Sequence, residues 1–125
     1  MKKIPIGLIV VILVFVYAQC GYGYWDKFKG NEIDFKIIKL EVDPNDKVRI
    51  HYQLKNVSGR YIRALMFTFL YYDARNEVVA FFNASREGIP SGGSSFDWYP
   101  TGMKSSEWKS RVKNIVFQID KIKFE

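Results

Sequence analysis

The chain has 125 residues, of which 48% are hydrophobic and 17% aromatic, and it carries a formal net charge of +6. This length leaves room for one domain, and a single cysteine excludes an internal disulfide. Basic residues are scattered along the chain, so the charge predicts a solvated surface and no nucleic-acid partner.

The N-terminus has the composition of an export signal. Lys2 and Lys3 precede residues 4–18, a stretch without charge that is rich in Ile, Leu and Val. Three fates remain open, namely cleavage after Ala18, lipidation of Cys20 as in a bacterial lipoprotein, and retention of the uncharged residues 4–25 as a membrane-spanning helix. All three place the domain outside the cytoplasm, in the bacterial cell envelope, and the last two attach it to the membrane.

The predicted organisation has three parts. Residues 1–20 are a signal peptide or membrane anchor, residues 21–34 a linker, and residues 35–125 a β-sandwich domain. The N-terminal segment is the chain's predicted contact with the membrane, through its own apolar side chains or through a lipid.

Six stretches of the domain have the composition of β-strands. In residues 48–55, Val48, Ile50, Tyr52 and Leu54 alternate with polar residues, which predicts one buried and one wet face. The other stretches are residues 35–42, 62–73, 78–82, 95–99 and 112–124, each bounded by turn signals. Residues 104–113 favour a short helical turn. The predicted fold class is all-β, an antiparallel sandwich of six to seven strands preceded by an N-terminal hydrophobic helix.

Several local features are predicted as well. Residues 62–73 are apolar on both faces, which indicates a central strand covered at least in part on both sides. A shift in the apolar phase between Ile119 and Ile122 predicts a bulge. Asp73 is expected to accept backbone N–H bonds from Arg75 or Asn76. Residues 89–94 are predicted as a loop, and residues 100–102 as a break.

One motif resembles a known family. Phe69, Tyr72 and Asp73 match the pattern Phe-x-Leu-Tyr-Asp, in which Tyr71 replaces the Leu, and residues 77–79 follow as Glu-Val-Val. The polar turn at residues 55–59 and the Ile-Pro-Ser-Gly of residues 89–92 fit as well. This part of the chain is similar to the FxLYD domain. The resemblance implies an immunoglobulin-like β-sandwich of exported bacterial and archaeal proteins and lipoproteins, with no catalytic residues to carry over.

The residues offer little for catalysis. His51 is the only histidine and falls on the polar face of its strand, where a surface position is favoured over a catalytic one. Asp43, Asn45 and Asp46 gather oxygen atoms, but a plain turn is favoured over a weak Ca²⁺ site. No nucleophile elbow or phosphate-binding loop is present in the sequence. We therefore predict no catalytic residue, no cofactor, no metal site and no enzymatic activity.

Aromatic residues near the Gly/Ser loop are the candidates for binding a partner. They are Phe81, Phe82, Phe96, Trp98, Tyr99 and Trp108. Most such residues belong to the core, so Trp98 and Tyr99 are singled out as the contacts to a partner. The predicted function is a membrane-tethered interaction module of the cell envelope that binds a protein, peptide or glycan. The alternative is an accessory subunit that adds an edge strand to a partner's sheet.

Overall fold

The computed structural model describes residues 25–125, so the predicted hydrophobic helix and Cys20 lie outside the described residues. The elements in chain order are β1 (Ile33–Val42), β2 (Lys47–Asn56), β3 (Ile62–Tyr72), β4 (Val78–Ile89), β5 (Ser94–Lys104), α1 (Ser105–Arg111) and β6 (Asn114–Phe124). The strands form two antiparallel sheets, the first in the order β1-β2-β5 and the second in the order β4-β3-β6. The prediction of an all-β sandwich is confirmed.

The central strands β2 and β3 supply the middle of the core. Tyr52 of β2 and Phe69 of β3 are both buried, and their rings meet edge to face with centroids 5.0 Å apart. Phe35 of β1 stacks on Phe117 of β6, and Tyr99 of β5 packs against Phe82 of β4. The ring contacts therefore show that β1 lies over β6, β2 over β3, and β5 over β4.

The strand β3 occupies the centre of the second sheet, as its apolar sequence predicted. Its inner face is fully buried at Phe67 and Phe69, whereas on its outer face Thr68 is buried and Met66 is exposed. The bulge predicted between Ile119 and Ile122 is confirmed. Pairing with β3 passes from Ile119 directly to Lys121, which leaves Asp120 as the extra residue of β6.

In two β-hairpin turns, an aspartate side chain accepts the same pair of backbone hydrogen bonds. Asp73 accepts the backbone N–H groups of Arg75 and Glu77 at 2.8 and 3.0 Å. Asp43 accepts those of Asn45 and Lys47 at 2.8 and 2.9 Å. The predicted bond from Arg75 is confirmed, but the backbone N–H of Asn76 donates to the carbonyl of Asp73 instead.

A buried asparagine ties two loops together. The side chain of Asn56 is fully buried and donates to the carbonyl oxygens of Arg60 and Ile89, at 2.7 and 2.8 Å. Its side-chain oxygen accepts from the backbone N–H and the hydroxyl of Ser58. Its own backbone N–H and carbonyl bond to Gly93 and Gly92. Asn56 thus joins the β2–β3 loop to the β4–β5 loop with every polar atom satisfied.

Several predicted boundaries are wrong. The strand β4 continues past Phe82 to Ile89. Its apolar pattern ends earlier, but its backbone remains paired with β3 as far as Ile89. The break predicted at residues 100–102 lies inside β5, where Pro100 is tolerated because β5 is an edge strand. The helical turn predicted near residues 104–113 is confirmed as α1.

The predicted linker partly belongs to the domain. The strand β1 already begins at Ile33, and the buried Glu32 accepts the backbone N–H groups of Lys29 and Gly30. Asp26 pairs with Ile122 at the end of β6. Residues 26 and 29–34 are therefore fixed to the sandwich.

Candidate functional site

Half of the side chains of the first sheet point away from the core and form its outer face. Because side chains alternate along a strand, β2 buries Val48 and Ile50 on the inner face and turns Arg49 and His51 outward. The strand β5 alternates in the same way, so that Phe96 and Trp98 share the outer face with them.

Cross-strand pairing arranges this outer face in rows. The Lys39 row runs from Lys39 on β1 through His51 on β2 to Trp98 on β5. The Lys36 row beside it consists of Lys36, Gln53 and Phe96. Each row thus passes from a cation through a polar side chain to an aromatic ring.

Three large apolar side chains are exposed together on this face. Phe96 is 65% exposed, Trp98 45% and Ile38 47%. The pairing of β1 with β2 skips Ile38, which makes it the extra residue of a bulge. With Lys39 and His51, these three residues line a shallow groove of about 280 Å³. Exposed apolar groups gathered in a groove are typical of a binding surface.

Polar side chains beside the groove are held by one another. The Nε2 atom of His51 lies 2.7 Å from a carboxylate oxygen of Glu41. This hydrogen bond is the main reason that the pKa of Glu41 lies below its ordinary value. The guanidinium of Arg49 lies 3.9 Å from Glu41 and 3.8 Å from Asp43, and it stacks 4.5 Å above the centre of the Trp98 ring. The cation–π contact with Arg49 therefore helps to hold the Trp98 ring in position.

Trp98 and Tyr99, predicted together as partner contacts, lie on opposite faces of β5. Tyr99 points between the sheets, donates its hydroxyl to the carbonyl oxygen of Asn83 at 2.9 Å, and packs against Phe82. Burial raises the pKa of Tyr99. Tyr99 thus closes the side of the sandwich where β5 meets β4, while Trp98 remains available on the outer face.

A second and larger cleft lies beside Tyr99. It measures about 390 Å³ between β5 and β4, and Tyr52, Asn83 and Asp97 contribute to its walls. Burial, with a smaller contribution from the charge of Asp97, raises the pKa of Tyr52 to about 12. Both tyrosine hydroxyls are thus protonated at neutral pH, which suits a structural role.

The remaining aromatic candidates are dispersed. Phe81 is exposed on the outer face of the second sheet, Phe82 packs inward, and Trp108 of α1 is buried against Tyr71. Of the aromatic residues near the Gly/Ser loop, Phe96 and Trp98 share one exposed surface.

Sequence reasoning missed the polar partners of Trp98. The sequence predicts a surface position for His51 and identifies no partner for it, whereas the structure pairs it with Glu41 across the β1–β2 hairpin. The signal that points to this face is the period of two in β2, which places Arg49, His51 and Gln53 on one side. Which strand lies beside them cannot be read from that period.

The oxygen-rich turn at residues 43–46 is explained by its own hydrogen bonds. Asp43 closes the turn, and Asp46 accepts the hydroxyl of Ser105 at 2.7 Å. Within residues 25–125, no group of three acidic, histidine or cysteine side chains is placed to hold a metal ion.

Comparison of this chain with known protein families, proteins and structures finds no relative. No family model matches the chain, and neither the curated proteins nor the solved structures yield a match. Across the described residues, no helix has both the length and the apolar character needed to cross a membrane. Cys20, the predicted lipidation site, precedes the described part of the chain.

Proposed function

We propose that this protein is an exported binding module of the cell envelope that holds a protein, peptide or glycan partner on the outer face of its first sheet. The observation that carries this proposal is the shared exposure of Ile38, Phe96 and Trp98 beside polar groups that are already fixed. Groups held in place before binding lose little freedom when a ligand arrives.

The N-terminal sequence supports the proposed location. Two lysines followed by an uncharged apolar stretch favour export, and Cys20 or the apolar stretch itself would tether the domain to the membrane. A small domain tethered in this way presents its outer face to neighbouring envelope components.

The strand order supports an immunoglobulin-like, FxLYD-like sandwich. The first, second and fifth strands form one sheet, and the third, fourth and sixth form the other, which corresponds to strands A, B, E and C, C′, F of an immunoglobulin fold. Phe69 and Tyr71 of the family-like motif point into the core, and Asp73 closes the following turn. The motif thus serves architecture, in keeping with a module that binds rather than catalyses.

Sedimentation with envelope material tests the proposed function. The full chain in a neutral detergent is mixed with delipidated cell envelopes of its host, and the bound fraction is measured. We expect the double variant F96A/W98A to lose most of the binding. The matched control F81A/V116A removes two exposed apolar side chains from the outer face of the second sheet and should bind like the parent. Equal losses in both double variants would refute the assignment of this face.

A second candidate function, strand addition, is favoured by the side of the sandwich where β1 lies over β6. Leu40 and Val42 share the register of the inward-facing Ile50 and Val48, yet they are 48% and 54% exposed. In the described part of the chain, the free edge of β6 pairs only near its end, through Asp26. An extended segment of a partner could pair with this edge and cover both apolar side chains.

Hydrogen exchange separates the two functions. A partner that adds a strand should slow amide exchange along β6, whereas a ligand on the outer face should leave β6 unchanged. Protection of β6 by a bound partner would therefore favour the second candidate.

A further inference from the structure

The two rows of the outer face combine features that suit one class of ligand. Phe96 and Trp98 are two residues apart on the same side of β5, so their Cα atoms are separated by about 7 Å. Lysines 36 and 39 occupy the other end of the same rows, two strands away, which is about 10 Å at the usual strand spacing. The face therefore offers two aromatic rings along one edge and two cations along the opposite edge.

We infer that this face binds an acidic glycan, a carbohydrate chain whose sugar rings carry carboxylate or phosphate groups. The inference rests on the proposed function and names the ligand of the same surface. The C–H face of a sugar ring stacks on an exposed aromatic ring, and the two rings on β5 can hold neighbouring parts of one chain. The acidic substituents then point across the sheet toward the lysines.

The charge of the face is complementary to such a ligand. Its outward positions carry six permanent cations, Lys36, Lys39, Lys47, Arg49, Lys55 and Lys104, against two carboxylates, Asp34 and Glu41. Glu41 is already paired with His51 and Arg49. Within residues 25–125, no carboxylate lies within 4.0 Å of the ammonium groups of Lys36, Lys39 or Lys55. These three lysines are therefore available to an anionic ligand.

The middle of the face suits hydroxyl groups. Gln53 and His51 lie between the lysines and the aromatic rings, and the amide nitrogen of Gln53 donates to Ser94 at 2.9 Å. The amide oxygen of Gln53 can accept a hydrogen bond, and the Ser94 hydroxyl can donate one. A sugar hydroxyl can both donate and accept, so it can bond to either group. Arg49, whose planar fork is the usual phosphate clamp of nucleic-acid sites, is held by Glu41, Asp43 and the Trp98 ring. This favours a glycan over a nucleic acid.

A titration of the full chain in a neutral, sugar-free detergent tests the inference. Tetragalacturonate is the acidic probe, and its methyl ester is the neutral probe of the same shape. Isothermal calorimetry should give an affinity for the acid that is at least about tenfold higher, a difference of about 1.4 kcal/mol. Raising the salt concentration should weaken binding of the acid, because exposed charges are screened.

Variants test the aromatic part and the cationic part of the site separately. W98A and the charge reversal K36E/K39E should each weaken acid binding by about tenfold or more, and W98F should retain most of it. The matched controls are F81A and K109E/K113E, which change an exposed aromatic ring on the second sheet and two exposed lysines at and just after α1. Far-ultraviolet circular dichroism confirms that each variant is folded before it is titrated.

The other results each overturn the inference in a different way. Equal affinity for the methyl ester would remove the role of charge, and equal affinity for polyglutamate would identify an acidic peptide surface. Tighter binding of oligothymidylate would identify a nucleic-acid surface. If none of these probes binds while envelope sedimentation still depends on Phe96 and Trp98, the ligand class is wrong and the binding face stands. If sedimentation also fails to depend on them, the proposed function is wrong.

Discussion

Asn56 shows how much one side chain can organise in a small sandwich without disulfides. Its carboxamide supplies both donors and the acceptor that two neighbouring loops require, and it is fully buried. Buried polar groups stabilise a fold only when all of their hydrogen bonds are made. The position therefore depends on the amide group and not merely on its size.

The variant N56D tests this dependence. Aspartate has the same shape but would face the carbonyl oxygens of Arg60 and Ile89 with acceptors only. We expect the free energy of unfolding to fall by about 3 kcal/mol. Urea denaturation measures the change, with N31D at an exposed asparagine as the control. A loss no larger than that of N31D would contradict the role assigned to Asn56.

The hydroxyl groups of Tyr71 and Tyr99 differ in whether they are hydrogen-bonded. Within the described residues, the buried hydroxyl of Tyr71 has no hydrogen-bond partner, whereas that of Tyr99 donates to Asn83. We expect Y71F to leave the free energy of unfolding unchanged or to raise it by up to about 1 kcal/mol. Y99F should lower it by about 1 kcal/mol. Thermal or urea denaturation of the two variants measures these changes. A marked loss of stability in Y71F would show that the Tyr71 hydroxyl has a hydrogen-bond partner.

At the scale of the elements, the two aspartate turns couple stability to pH. The pKa of Asp43 lies below its ordinary 3.8, mainly because the backbone N–H of Lys47 donates to it. The pKa of Asp73 is lowered from 3.8 in the same way, mainly by the N–H of Glu77. A carboxyl whose folded pKa is depressed contributes its full stability above the unfolded pKa and loses it as the pH falls through the folded value.

We therefore expect the sandwich to lose stability as the pH falls below about 4. The variants D43N and D73N should lower stability at neutral pH and flatten this acid dependence, because an amide oxygen accepts the same bonds without titrating. Urea midpoints measured across a pH series check the prediction. Unchanged pH profiles in both variants would show that other carboxyl groups govern acid unfolding.

The elements also show what the sequence could predict. Strong alternation in β2 and the turn at Asp73 are local signals, and both are confirmed. The extent of β4 and β5 could not be read, because each edge strand continues as far as its backbone pairs with the neighbouring strand, β3 for β4 and the distant β2 for β5. The same limit applied to the binding face. Trp98 and Tyr99 were singled out together, and only the structure separates them onto opposite faces of β5. The place of Trp98 beside His51 follows from the pairing of β2 with β5.

At the scale of the whole molecule, one side of the sandwich is closed, and the other side, where β1 lies over β6, is open beyond the stacked rings of Phe35 and Phe117. Tyr99 and Asn83 bridge the sheets where β5 lies over β4. On the opposite side, Leu40 and Val42 face inward but are about half exposed. The stability of the fold should therefore depend little on these two side chains, even though they are apolar.

The double variant L40K/V42K tests this view of the open side. Lysine stems can lie along the apolar surface while their ammonium groups reach water, so we expect a loss of less than about 1 kcal/mol. The contrasting variant I50K places an unpaired charge in the core and should cost several times as much. Urea denaturation compares them, and similar losses would mean that the open side is as tightly packed as the core.

The buried carboxamide of Asn56 has a consequence for producing this protein in eukaryotic cells. Asn56-Val57-Ser58 and Asn83-Ala84-Ser85 both match the acceptor sequence for N-linked glycosylation. Asn83 lies on an exposed edge strand, but Asn56 has both amide hydrogens bonded inside the fold. A sugar attached to Asn56 before folding would displace those bonds. Secretory yield would then depend on whether the two loops close before the glycosylating enzyme reaches Asn56. Replacing Ser58 would abolish the acceptor sequence, but it would also remove the hydroxyl that donates to the side-chain oxygen of Asn56.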